Sequence, residues 1–152
     1  MVNEILAKLN QNEKLIGGGG IVAVVGWILG LVLGTRSEGV AGIYSVSINY
    51  FSWGTAGLMA GLGLVAAIAG VVVLYLKIAP NMNITWPMPV VQILLGISVA
   101  TLALTVLTVL FQLTNGLDGA PILMFVADVV FVGGGAAMAY GAYMEYQAKP
   151  VV

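Results

Sequence analysis

One acid lies well inside a long apolar run. Asp128 sits seven residues past Pro121, ~10 Å along a helix that rises 1.5 Å per residue. A carboxylate at that depth in hydrocarbon is costly, which makes it a candidate functional group by default. Gly135, Ala139 and Ala142 continue its helical face, so the face is expected to look into a bundle rather than into lipid. In the preceding apolar run, Ser98, Thr101, Thr105, Thr108 and Gln112 are spaced 3, 4, 3 and 4 residues apart and form a single hydroxyl-rich stripe. The two runs are joined by a short polar connection. Asp128 is therefore expected to meet Thr105, Thr108 or Gln112 at a similar depth. Two readings follow: an ion or proton site lining a pore or cavity, or polar glue between two helices.

Other chemistry is sparse. The chain has no cysteine and no histidine, which removes disulfides, Cys/His zinc sites, imidazole ligation of haem and Ser-His or Cys-His nucleophiles. No metal or cofactor is expected. Within the apolar runs no two carboxylates come together for acid-base work. Glu145 falls near one end and Asp128 near the other, more than ~20 Å apart along the axis. The chain is thus expected not to be an enzyme. The net charge of −1 and the lack of a basic cluster argue against nucleic acid as a partner. Gly133-Gly134-Gly135 has no nearby Lys or Arg to make it a phosphate loop, and Asn83-Ile84-Thr85 falls on the side expected to face the cytoplasm.

The glycines form stripes of their own. Gly26, Gly30 and Gly34 recur at every fourth position, and Gly57 with Gly61 and Gly63 with Ala67 repeat that spacing. Such stripes let helices touch backbone to backbone where lipid supplies no hydrophobic drive for association. They fit either packing within one bundle or a homo-oligomer interface.

These residues must be carried by membrane-crossing helices. Of 152 residues 61% are hydrophobic and only 7% charged, with a mean hydropathy of +1.08. A soluble domain carries roughly 25% charged residues. Four apolar stretches, about 15–34, 53–76, 89–113 and 121–143, each approach or exceed the ~20 residues that cross a bilayer. The expected fold is an all-α integral membrane protein, a single domain over 1–152 with four transmembrane helices in an antiparallel bundle. Helices satisfy their own backbone polar groups, as lipid requires. Glu4 and Glu13 ahead of the first stretch argue for a retained span rather than a cleaved signal. Lys8, Lys14, Lys77 and Lys149 fall on one side and Arg36 alone on the other, which places both termini in the cytoplasm. Tyr50, Phe51 and Trp53 are expected to mark the outer interface, and Trp86, Tyr140, Tyr143 and Tyr146 the inner one.

Before the first span Val2, Ile5, Leu6 and Leu9 share a helical face, suggesting a short N-terminal interfacial helix. Gly17 to Gly20 then form either a hinge or a point of close backbone approach. In the external loop, 35–52, Tyr44, Val46, Ile48 and Tyr50 alternate with Ile43, Ser45, Ser47 and Asn49, a strand pattern. An isolated strand needs a partner: a hairpin with Gly39-Val40, another subunit or the membrane surface.

Four spans in about 150 residues, many glycines and Phe125-Val126-Ala127-Asp128 in the fourth span resemble, over about a dozen residues, the proteolipid ring subunits of vacuolar-type rotary ATPases. The resemblance implies an ion- or proton-carrying Asp128 in an oligomer. The chain departs from that family in the glycine pattern of its first span, in its expected cytoplasmic termini and in showing no duplication of its first half. The reading of the residues themselves is a non-enzymatic structural or accessory subunit, or a self-assembling scaffold, of a membrane complex. Its alternative is a small oligomeric channel or ion-translocating subunit using Asp128. The expected partners are the lipid bilayer and further copies of the chain or other membrane subunits.

Overall fold

Asn10 starts the first helix. Its side chain accepts the Glu13 N–H at 2.8 Å, and the Glu13 carboxylate reaches back toward the Asn10 N–H at 3.4 Å, a reciprocal cap that meets two otherwise orphaned donors. Helix α1 runs Gln11–Leu33, so it begins about a turn earlier than hydropathy alone indicates, and Glu13 and Lys14 lie inside it. In the computed structural model, residues 7–40, 44–49, 51–52, 54–79, 85–114 and 122–148 are described. The interfacial helix expected before α1 lies mostly outside them: only Ala7 and Lys8 are seen as helical, while Leu9 packs half-buried against the core.

The end of α1 is closed by a residue far along the chain. The Asn49 amide donates to the Leu31 carbonyl at 2.8 Å and to the Gly30 carbonyl at 3.2 Å, the latter also accepting the Gly34 N–H at 2.8 Å, so one side chain covers the carbonyls of the last turn. Between them the chain forms an antiparallel hairpin, β1 (Thr35–Val40) against β2 (Tyr44–Asn49), in register from Thr35 opposite Asn49 to Val40 opposite Tyr44. Of the three partners open to the strand, this is the hairpin. The Asn49 side-chain oxygen then accepts the Phe51 N–H at 2.8 Å and turns the chain inward. Gly54, with φ of +69°, supplies the left-handed residue that leads into α2 (Gly54–Ile78).

Helices α3 (Val90–Thr114) and α4 (Met124–Ala148) complete the set. At 23 to 25 residues each helix is about 35–38 Å long, and all four are long and apolar enough to cross a membrane. The α3–α4 connection, 115–121, and the Asn83-Ile84 pair lie outside the described residues.

Helix α1 packs most extensively against α4, α2 against α3, and α3 against α4, with a lighter contact between α1 and α2. The α1–α4 seam is the tightest, because both sides lack side chains. Gly19 faces the Gly134 carbonyl, a Cβ at Gly134 would run into the Ala23 backbone, and Gly141 faces the Asn12 carbonyl and Ile16. The four-glycine run at 17–20 is thus continuous helix at a close approach, not a hinge.

The distribution of polarity is inverted relative to a water-soluble domain. Ser98, Thr101, Thr105, Thr108, Gln112, Asp128, Glu13 and Glu145 are buried, while Ile21, Val32, Val65, Ile122 and Val129 are more than half exposed. Large apolar side chains cover the outside of all four helices, a surface that water would not tolerate and hydrocarbon accepts. Phe51 corrects one expectation. It is not an interfacial anchor but a core residue, 1% exposed, set edge-to-face on Phe131 with ring centroids 5.8 Å apart. Tyr140 and Tyr143 are exposed, Trp86 and Tyr146 are half-buried, and Tyr50 and Trp53 lie outside the described residues.

Candidate functional site

Helix α3 turns its entire hydroxyl stripe inward. Three of the five members close bonds to their own helix: Thr101 to the Ile97 carbonyl, Thr105 to Leu102 and Thr108 to Leu104, each at 2.8 Å. Such back-bonding spends each hydroxyl proton locally and leaves the oxygen lone pairs facing the interior. Across the seam α4 presents small residues. A Cβ at Gly135 would come within 2.9 Å of the Thr105 hydroxyl oxygen, so these helices touch through hydroxyl and backbone.

Asp128 stands at one end of this seam, in the first turns of α4, and is 4% exposed. Of the expected stripe partners, Gln112 is the one whose side chain exerts an electrostatic influence on it. Neither carboxylate oxygen and neither amide atom of Gln112 completes a bond, however; all four are buried without a partner. Thr105 and Thr108, also expected as contacts, direct their protons to their own helix instead. The reason is geometric: a threonine hydroxyl reaches the carbonyl one turn back without strain, whereas the longer Gln112 side chain can extend to the next helix.

A second polar cluster lies at the opposite end. The Lys77 ammonium, at the end of α2, donates to Glu13 on α1 at 2.8 Å. The Asn10 amide donates to Glu145 of α4 at 2.9 Å, and the Asn12 amide reaches the same oxygen at 3.4 Å. Asn10 thus joins both acids, capping α1 through Glu13 while holding Glu145. Sequence reasoning separated these residues into a tail, a loop flank and a helix end. The Asn-x-x-Glu capping pattern at 10–13 was the available signal for where α1 begins. That start fixes Glu13 on the buried face, but nothing local names Lys77 or Glu145 as its neighbours.

The glycine positions resolve by environment. A Cβ at Gly26 would run into the Phe131 backbone, Gly30 and Gly34 receive the Phe51 ring, and a Cβ at Gly57 would run into the Ser52 backbone, so these four are occupied within the chain itself. Gly61 opens outward with nothing near it. Gly96 and Gly133 are likewise open and exposed. An apolar groove of about 180 Å³ between α1 and α2, lined by Ile21, Val24, Val25, Ile68, Val71 and Val72, also faces outward. Among the described residues no group of three or more acidic side chains gathers to hold a metal.

Compared with protein-family models, curated proteins and solved structures, the chain matches none.

Proposed function

We propose that this chain crosses the bilayer as an antiparallel four-helix bundle with both termini in the cytoplasm. We further propose that it serves as a non-enzymatic structural or accessory subunit of a membrane complex, associating through its outer surface. The inverted distribution of polarity carries this reading. Polar groups are turned inward, the Thr101, Thr105 and Thr108 hydroxyls are spent on their own helix, and both acids at one end are engaged by Lys77, Asn10 and Asn12. What faces outward is apolar surface with shallow places where a neighbouring helix could come close. On α3, Gly96, Ala100 and Ala103 are all exposed and share a face. The groove between α1 and α2 suits a lipid acyl chain.

Native mass after extraction in mild detergent tests the proposal. A particle heavier than one 15.7 kDa chain plus detergent is expected. Gly96→Leu should reduce that mass without unfolding the protein. A wild-type monomer that captures no other membrane subunit contradicts the reading.

The alternative, an oligomeric channel or ion-translocating subunit, draws its support from Asp128 and Gln112, buried and unpartnered within a span. It separates cleanly from the first. Asp128→Asn should abolish ion flux in reconstituted vesicles if translocation is the role, and should leave native mass unchanged if association is.

A further inference from the structure

We propose that the seam between α1 and α2 binds one anionic phospholipid, with an acyl chain in the apolar groove and the phosphate held by Lys14 and Tyr75. The inference rests on the proposed bilayer crossing but not on association, since every group it uses belongs to one chain.

The groove and the cation lie on one continuous track. Glu13 of α1 bonds Lys77 of α2, and a Cβ added at Gly17 or Gly20 would meet Leu74 or Val71, so positions 13, 17 and 20 lie against 77, 74 and 71. Further along this seam the groove opens. Val24 and Val71, half-buried, are its floor, and the exposed Ile21, Val25, Ile68 and Val72 are its walls. On α1, Lys14, Gly18, Ile21 and Val25 follow at steps of 4, 3 and 4; on α2, Ile68, Val72 and Tyr75 follow at 4 and 3. Lys14 and Tyr75 therefore continue the two wall faces, each seven residues or ~10 Å past Ile21 or Ile68, toward the same end. Both are exposed. Between Lys14 and the groove Gly18 keeps the track clear, with nothing within 4 Å of an added Cβ.

Charge supplies the second observation. Among the described residues the Lys14 and Tyr75 side chains have neither an ionic nor a hydrogen-bonding partner. Glu13, next to Lys14 in sequence, is turned inward and committed to Lys77. The proposed topology puts this end at the cytoplasmic leaflet, where anionic lipids collect and attract lysines near the surface. A lysine stem lies along apolar surface while its ammonium reaches headgroup level. The Tyr75 ring suits that same level, and its hydroxyl is a second donor to phosphate.

The combination selects the occupant. A free phosphate gains nothing from an apolar groove. A helix of a second copy would fill the groove and leave Lys14 unmet. A phospholipid answers both, its chain covering the walls and its phosphate meeting the ammonium in a charge-assisted bond.

Native mass spectrometry of the delipidated full chain in mild detergent tests this, with dioleoyl phosphatidylglycerol or dioleoyl phosphatidylcholine titrated in. The wild type should retain one phosphatidylglycerol per chain and prefer it to phosphatidylcholine, whose choline offsets the phosphate charge. Lys14→Gln should weaken retention about tenfold, as expected for a lost bond to a charged group. Lys14→Arg should keep it. Val72→Trp obstructs the groove, leaves the cation in place and should also weaken retention; should it not fold, Ile68→Trp makes the same comparison. Lys8→Gln, which removes an equal exposed charge ahead of the α1 cap, should have little effect. Equal retention of the two lipids by the wild type overturns the site. So does unchanged retention in Lys14→Gln or in the groove variant, or an equal loss in Lys8→Gln, which would mean diffuse attraction to the surface. Displacement of the lipid by an equal concentration of glycerol phosphate overturns it too, since the chain would then contribute nothing. A groove variant that lowers the number of copies per particle and leaves lipid retention intact assigns the groove to a second copy instead. The same spectra count copies, so a lipid-bound monomer supports the site while contradicting association, and an oligomer without lipid does the reverse.

Discussion

At the residue scale, the Glu13–Lys77 pair shows how a few polar groups lock a bundle whose helices are apolar on nearly every face. The Glu13 side chain is 8% exposed and Lys77 20%, so the pair is shielded enough for the loss of one partner to leave a costly charge behind. Lys77→Met alone should destabilise the fold by about 3 kcal/mol. Adding Glu13→Gln should restore most of that, because the glutamine oxygen can still accept the Asn10 N–H while carrying no charge. A double-mutant cycle of unfolding in mild detergent measures the coupling, and purely additive losses would show the pair to be incidental. Asn49 has a comparable role at the other end, where one side chain closes α1, bonds Thr35 and directs Phe51 into the core. Its individual bonds contribute on the order of 1 kcal/mol each.

At the element scale, neighbouring glycines of α4 have opposite roles. Gly134 lies against the Ala23 backbone and the Gly19 carbonyl, while Gly133 has nothing within reach of an added Cβ. Gly134→Leu should therefore force α1 and α4 apart and cost more than ~3 kcal/mol, the upper range for overpacking a site that can relax. Gly133→Leu, identical in propensity change and one residue away, should keep the protein folded and even gain helix propensity of up to ~1 kcal/mol. Circular dichroism and unfolding in detergent distinguish them; similar behaviour of the two would mean that the α1–α4 seam is not packed as described. The same logic applies to Gly26, Gly30 and Gly34. Their spacing suggested a contact face, and the contact is made with Phe131, Phe51 and Met124 of the same chain.

At the scale of the whole molecule, the proposed topology places Lys8, Lys77 and the end of α4 together on the cytoplasmic side, with the hairpin opposite. Because the chain contains no cysteine, single substitutions report on sidedness without background. Lys8→Cys and Gln147→Cys should react with a membrane-impermeant maleimide only when the cytoplasmic face is accessible, and Ser52→Cys only from outside. Labelling of Lys8→Cys and Gln147→Cys from opposite faces would rule out an even number of crossings.

The sequence by itself determined the class of the molecule: four apolar helices, their boundaries to within a few residues, the inward stripe of α3 and the strand at Tyr44–Asn49. These follow from local rules, since hydropathy and periodicity depend only on near neighbours and lipid admits few alternatives to the helix. Tertiary structure alone decided which groups meet. It left Asp128 and Gln112 buried without a completed hydrogen bond, because whether a side chain reaches across a helix gap is a property of the packed pair. It buried Phe51, whose neighbours in sequence suggested an interface, and gathered Asn10, Glu13, Lys77 and Glu145 from three helices. Contacts between residues 64 and 135 positions apart leave no periodic trace in a single chain, since they are set by how helices pack and not by what each helix is.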